Sequence, residues 1–279
     1  MTNLPSFYRL IRHERIASTS DEAKRLAVAG APAGTLIQAD QQTAGRGRQG
    51  RTWVSPRGNL YCSLILRPKA PIGVAMQLSF VAAVAAGDAC CDVAPDADIA
   101  FKWPNDIMLG PIDISSLPHK RESISPPLDS RFRGNDEGGA GYRKLAGILL
   151  ESQTGKGGGL DWLVLGIGIN LAAYPTDAAY PATALSATGT EVSSDAMLAA
   201  LAERFLGWYE RWDEGKGFPA VRDAWLARGA GIGQPIRVRL ADSESVGIFA
   251  GLDDDGALLL DAEAGRRRVT SGEVFPADA

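Results

Sequence analysis

Between residues 19 and 30 the apolar positions recur at helical steps. Ala23, Leu26 and Ala27 share one face, Thr19 and Glu22 stand ahead of them at capping-box spacing, and Gly30 follows as a stop, which predicts a first helix. Short β-type runs surround it: "GTLIQA" (34–39) and "NLYCSLIL" (59–66), then "DIAFKW" (98–103), "KLAGILLES" (144–152) and "DWLVLGIGIN" (161–170). Residues 70–87, "APIGVAMQLSFVAAVAAG", carry no charge and approach the roughly 20 residues that cross a bilayer. Gln77, Ser79 and the nearby Pro71 favour a helix buried in a large core instead. Further on, Leu198, Leu201, Ala202, Phe205, Trp208 and Trp212 fall at three- and four-residue steps, a stripe that reads as core packing. From Gly233 the period changes to two. "PIRVRL", "VGIFAGL", "GALLLDA" and "RRVTSGEVF", parted by turn residues, predict a small separate β-barrel.

Composition narrows the class. The 279 residues, 45% hydrophobic and 22% charged, suffice for a substantial core in one or two domains. With a net charge of -4, a nucleic-acid role would need a local basic patch. Cys62, Cys90 and Cys91 show neither a pairing pattern nor metal-ligand spacing, and only His13 and His119 could assist them. The N-terminus alternates charged and apolar residues without the apolar core of a secretory signal, so a reducing, cytoplasmic setting is expected.

One local patch does exist. "GRGRQGRTW" (45–53) fits G-x-G-x-x-G, but a dinucleotide loop must open a helix and be followed by an acidic residue about 20 positions on. Here a strand-like run follows, and no Asp or Glu occurs between Gln41 and Gly87, where Arg46, Arg48, Arg51, Arg57, Arg67 and Lys69 all fall. Glycine lets backbone N–H groups turn inward and arginine brings bidentate donors, so the pattern points to a structured anion site. A solvated basic loop is the plainer alternative; the apolar flanks and Trp53 weigh against it.

With "QQTAGRGRQGRTW" (41–53), "KWPND" (102–106), "KLAGILLE" (144–151), "STS" (18–20), "GIGIN" (166–170) and the C-terminal strands in this order, the chain resembles the biotin protein ligases, also called biotin-(acetyl-CoA-carboxylase) ligases. The resemblance covers nearly everything except residues 111–141. It implies an α/β fold of α+β type: a mixed, largely antiparallel sheet backed by helices, similar to class II aminoacyl-tRNA synthetase catalytic domains, with a small C-terminal SH3-like barrel. The implied domains are residues 1–230, catalytic, and 231–279.

The implied reaction uses ATP, biotin and Mg2+. Biotin's carboxylate attacks the α-phosphate to give biotinyl-5′-AMP and pyrophosphate, and the mixed anhydride then acylates a lysine of a biotin carboxyl carrier domain of acetyl-CoA carboxylase or a related carboxylase. By resemblance, Lys144 and Arg48 are catalytic. Ser18, Thr19, Ser20, Gln42, Arg46, Gly47, Arg48, Trp53 and Lys144 hold biotin, while Arg46, Arg48, Arg51, Asn105, Asp106 and Asn170 hold the nucleotide. No metal ligand is assignable. Ser20 departs from the family's frequent Asn.

Several of these residues admit plainer readings. Ser18 and Thr19 could cap the helix, which is compatible with binding at its N-terminus. Trp53 could cover the bound thioether ring or only the sheet. Pro104 to Asp106 could be a simple turn, Asn170 a strand end after the close-packing Gly166 and Gly168, and Lys144 a snorkelling strand-end charge.

The motifs begin within about 20 residues of Met1, too few for the helix-turn-helix domain that some members carry, so the monofunctional form without specific DNA binding is expected. The resemblance also allows a homodimer through the sheet, and no membrane role. Two rival functions remain: a lipoate or octanoate ligase or transferase of related fold, and a nucleic-acid module built on the arginine loop. Residues 111–141, rich in Pro, Gly and Ser, read as a disordered insertion at a hairpin tip. The competing reading is a lid in which Arg131 and Arg133 reach a phosphate.

Overall fold

The computed structural model describes residues 3–111, 141–155, 159–176, 181–240 and 242–277. The expected insertion, with His119, Arg131 and Arg133, therefore lies outside the described residues apart from its two end positions.

The chain runs β1 (Arg9–Ile16), α1 (Thr19–Val28), β2 (Thr35–Gln42), β3 (Leu60–Leu66), α2 (Ile72–Ala75), α3 (Leu78–Val93), β4 (Ile99–Lys102), β5 (Asp106–Leu109), β6 (Arg143–Thr154), β7 (Leu160–Ile169), α4 (Ser194–Trp212) and α5 (Phe218–Leu226). The seven strands form one sheet in the order β1-β2-β3-β7-β6-β5-β4. Only β1 and β2 pair in parallel; the other neighbours are antiparallel. Every residue of β3 is buried, as its unbroken apolar run requires of a strand covered on both faces. The charged β1 takes an edge, where alternating exposure is tolerated.

Two helical layers cover the sheet. Ala23 and Ala27 of α1 pack on Ile37, Ile65, Trp162 and Val164. On the other side α3 is buried nearly all round, between the sheet and helices α4 and α5. Ile72–Val93, which takes in both α2 and α3, is long and apolar enough to suit a membrane span, yet the α3 residues form the centre of the core. The α4 stripe is core as expected, except that Trp208 is half-buried and donates its indole N–H to Asp88 at 2.8 Å.

The remaining strands, β8 (Pro235–Arg239), β9 (Glu244–Leu252), β10 (Leu258–Ala262), β11 (Gly265–Val269) and β12 (Glu273–Pro276), form an antiparallel sheet in the order β11-β10-β9-β8-β12. "RRVTSGEVF" is not one strand: it breaks at Thr270–Gly272, where Gly272 takes φ 148°, into two strands on opposite edges. Nor is this unit separate in its packing. Ile236, Val238, Phe249, Leu258 and Leu260 join the main core, the Trp103 indole N–H donates to the Gly256 carbonyl at 3.2 Å, and Arg222 pairs with Asp254 at 2.8 Å.

The first helix starts one residue earlier than its capping-box pattern implies. Ser18 is the N-cap, its hydroxyl accepting from the Asp21 N–H at 3.3 Å, while Glu22 turns to Arg25. Ser18→Ala is therefore expected to cost about 1 kcal/mol of stability. The check is the denaturant midpoint, and an unmoved midpoint would assign Ser18 elsewhere.

Candidate active site

The turn at Trp103–Asn105, the arginine loop after β2, the N-terminus of α1 and the facing ends of β6 and β7 enclose one cavity of about 380 Å3. Thr19, Ser20, Gln42, Arg46, Gly47, Arg48, Arg51, Trp53, Asn105, Asp106, Lys144 and Asn170 all line it. Of the expected site residues only Ser18 lies outside the lining, as the buried cap behind Thr19.

One end is neutral and rich in hydroxyl groups. The Thr19 N–H and hydroxyl both donate to Gln42 Oε1, at 2.8 and 3.1 Å, and Gln42 Nε2 donates to Ser55 Oγ at 3.0 Å. Ser63, fully buried on β3, donates to Thr19 Oγ1 at 2.9 Å and meets Ser20 Oγ at 3.1 Å. Ser63 pairs across the sheet with Gly166, and a Cβ there would stand 2.7 Å from Ser20 Oγ. Gly166 thus makes room for the serine. Cys62 also lines the cavity, but burial pushes its thiol up to about 12, so it offers no thiolate.

The Trp53 indole lies on the floor over the cross-strand pair Gly147 and Gly168. A Cβ at Gly168 would fall 2.7 Å from Trp53 Nε1, and one at Gly147 2.9 Å from Cζ3. Trp53 therefore packs on the sheet while also facing the cavity.

The other end is cationic. Lys144 Nζ sits 2.7 Å from Asp106 Oδ1 and 5.5 Å from the centre of the Trp53 ring. Its backbone is tied on both sides, N–H to the Pro181 carbonyl and C=O to the Thr183 N–H, which fixes where the side chain begins. Arg48 donates to Asn105 Oδ1 at 3.0 Å, and Asn105 Nδ2 donates to the Ile148 carbonyl at 2.7 Å. Asn105 thus anchors the arginine to β6. Burial draws the Arg48 guanidinium below its usual range, with Asp106 opposing the shift.

Lys102 also reaches the cavity, and burial brings its ammonium down to about 8; Asp106 opposes, while Lys144 and Arg51 add to the fall. Arg51 is ion-paired with Glu273, which brings β12 to the cavity wall. At the rim, Arg46 bonds to Asp21 at 2.5 Å, and Lys24 ties Asp21 to Glu151. Burial alone would raise the Asp21 carboxyl; hydrogen bonds from Lys24 and Arg46 hold it below the usual carboxylate range.

Asn170 is buried and donates to the Thr183 carbonyl at 3.0 Å, so it closes the end of β7 as well as lining the cavity. Ser63, Lys102 and Glu273 were not singled out from the sequence. Ser63 had a usable signal, a lone serine inside an otherwise apolar and aromatic strand run; Glu273 had none, because only the sheet order brings it here.

The arrangement suits a long ligand with a neutral hydrogen-bonding head and an anionic end. Residues 13–170 match the Biotin/lipoate A/B protein ligase family, and residues 231–275 match the Biotin protein ligase C terminal domain. The chain is 40% identical to the biotin-(acetyl-CoA-carboxylase) ligase of Paracoccus denitrificans, covering 94% of this chain and 98% of that one. It is 32% identical to the bifunctional ligase/repressor BirA of Bacillus subtilis, covering 95% of this chain and 73% of the relative. Among solved structures, the biotin protein ligase from Aquifex aeolicus in complex with biotin and ATP superposes with a TM-score of 0.71 at 26% identity, covering 95% and 97% of the two chains. Family match, relatives and fold converge: the chain belongs to the biotin/lipoate A/B protein ligase family, among its biotin protein ligases.

Proposed function

We propose that the chain activates biotin with ATP and transfers it to a lysine of a carrier domain, that of acetyl-CoA carboxylase or a related carboxylase, in the cytoplasm. The observation that carries this reading is a single cavity joining the neutral Thr19, Ser20 and Gln42 end to the cationic Arg48, Lys102 and Lys144 end. Biotin's ureido ring matches the first, and a carboxylate meeting a triphosphate matches the second.

A carboxylate oxygen of biotin attacks the α-phosphorus and the bond to pyrophosphate breaks, so negative charge builds on phosphoryl oxygens. Lys144, held by Asp106, and Arg48, held by Asn105, bring fixed cations to that place without reorganising during the step. In the second step the carrier lysine's amine attacks the acyl carbon and AMP leaves. Arg46 and Gly47 line the wall beside Arg48, where the mixed anhydride would lie.

Among the described residues no three His, Cys, Asp or Glu side chains gather as a metal cage, and Asp106 and Glu273 are taken by Lys144 and Arg51. The side chains present do not suit a protein-held magnesium ion; they suit one carried in by the triphosphate and its waters. The cations on the protein side are then Arg48, Lys102 and Lys144.

Two consequences are measurable. With Lys102 near 8, its charge is lost as pH rises through that value, so kcat/KM for ATP is expected to fall on the alkaline side. The opposite sign holds for stability. The unfolded chain binds more protons between about 8 and the ordinary 10.5, so the ligand-free fold gains stability as pH rises through that window. A Lys102→Met enzyme that keeps the alkaline limb would remove Lys102 from this role. Second, Arg48→Gly is expected to release biotinyl-AMP faster than the parent, measured by chasing labelled intermediate; equal release would make Arg48 peripheral.

The transfer reading is tested by incubating the protein with ATP, a biotin carboxyl carrier domain and either biotin or lipoate. Biotin is expected on one specific lysine of the carrier. Modification with lipoate and none with biotin would move the chain to the lipoate side of the family.

A further inference from the structure

Ser63 does not line the cavity, yet its hydroxyl decides which way the hydroxyls that do line it point. The direction follows from one fixed donor. The Thr19 backbone N–H can only donate, and it lies 2.8 Å from Gln42 Oε1, so that atom is the amide oxygen. The Ser55 hydroxyl, spent on the Trp53 carbonyl at 2.9 Å, accepts from Gln42 Nε2 and confirms the same amide orientation. Thr19 Oγ1, 3.1 Å from the oxygen, must then donate to it. Ser63 therefore donates its only proton to Thr19 Oγ1, and in the Ser20–Ser63 contact Ser20 is left as the donor. The protons run one way: Ser20 to Ser63 to Thr19 to Gln42.

All three hydroxyl protons are thus directed away from the cavity. Ser20 Oγ and Thr19 Oγ1 present lone pairs to it, while Gln42 Nε2 keeps one N–H unspent. Two acceptors and one donor complement a cyclic urea, which brings two N–H groups and one carbonyl. A dithiolane or a fatty acyl tail brings no N–H and would leave the acceptors unpaired, the arrangement by which sites reject analogues most strongly. Gly166 belongs to the same device, because any side chain there would displace Ser20 Oγ.

We infer that Ser63 is a positioning residue that sets the donor and acceptor polarity of the head-group end, and so selects a urea-bearing acid over a dithiolane or plain acyl acid. This deepens the biotin ligase reading and rests on it.

The test is Ser63→Ala in the full chain, with calorimetric Kd values for biotin, dethiobiotin and lipoate, and kcat for pyrophosphate exchange at saturating biotin. Losing Ser63 frees the Ser20 proton to turn into the cavity. Biotin and dethiobiotin, which share the urea, are expected to weaken together by about tenfold, the scale of one lost hydrogen bond. The lipoate Kd and the saturating kcat should stay at the parent values. A merely structural role would lower kcat or move all three ligands alike. Ser63→Cys, which keeps a weak S–H donor, is expected to fall between parent and alanine variant and serves alone if the alanine variant does not fold. Biotin binding to the parent with an unchanged Kd in Ser63→Ala overturns the relay only. Failure of the parent to bind biotin overturns the functional reading, and the relay's urea selectivity with it.

Discussion

Lys144→Ala is expected to lower biotin-dependent adenylation by about two to three orders of magnitude, the scale for removing one fixed electrostatic stabiliser of a transition state. Folding should survive, because what holds this part of β6 is backbone: the bonds to Pro181 and Thr183 and the strand register with β5 and β7. The loss has two parts. The ammonium disappears, and Asp106, 2.7 Å from it in the parent, loses its ion-pair partner and adds negative charge beside the phosphates. The double variant Lys144→Ala, Asp106→Asn should therefore recover part of the activity lost by Lys144→Ala alone. Steady-state exchange rates for the four members of this cycle decide it. Near-parent activity in Lys144→Ala would end the role assigned to Lys144.

The second large effect is expected from one methyl group. Gly168→Ala places a carbon 2.7 Å from Trp53 Nε1 and 2.8 Å from Cε2, far inside contact distance, so the indole must leave the floor and enter the cavity. Trp53 also lies under Lys144 at 5.5 Å, and its displacement shifts the cation as well. Misplacing reacting groups by roughly an ångström costs on the order of a hundredfold in rate, and that is the loss expected here. Gly147→Ala meets the same ring at 2.9 Å and should act in the same direction. The readouts are kcat, the biotin KM and Trp fluorescence. Parent-like values of all three in Gly168→Ala would show that the ring can yield without consequence.

How far the sequence carried this depended on whether a signal was local. Helical spacing marks α1 and α4, and unbroken apolar runs mark α3 and most central strands, because burial on one face or on all leaves its imprint in the residues themselves. β1 was missed since its charges mask the pattern of an edge strand, and α5 since Pro219 and its short length give little period. The break at Thr270–Gly272 was missed because strand and bend there share one run of β-type residues.

The site followed the same rule. Arg48, Asn105 and Lys144 sit in short motifs, and the fold brings all three to one cavity. What no motif contained was the relation between them: that Asn105 holds Arg48, that Asp106 holds Lys144, and that Glu273 arrives from the last strand. Those pairings depend on register and sheet order, which a linear pattern does not encode. Trp53 had two open readings, and the paired glycines beneath it fix its place on the sheet.

On the proposed function, this cavity joins biotin to AMP. Exchange of labelled pyrophosphate into ATP measures that half-reaction alone, with no carrier protein present. Exchange that requires biotin and is not supported by lipoate is the expected result. No exchange with biotin, in a folded protein that exchanges with lipoate, would rule out biotin as the acid activated here.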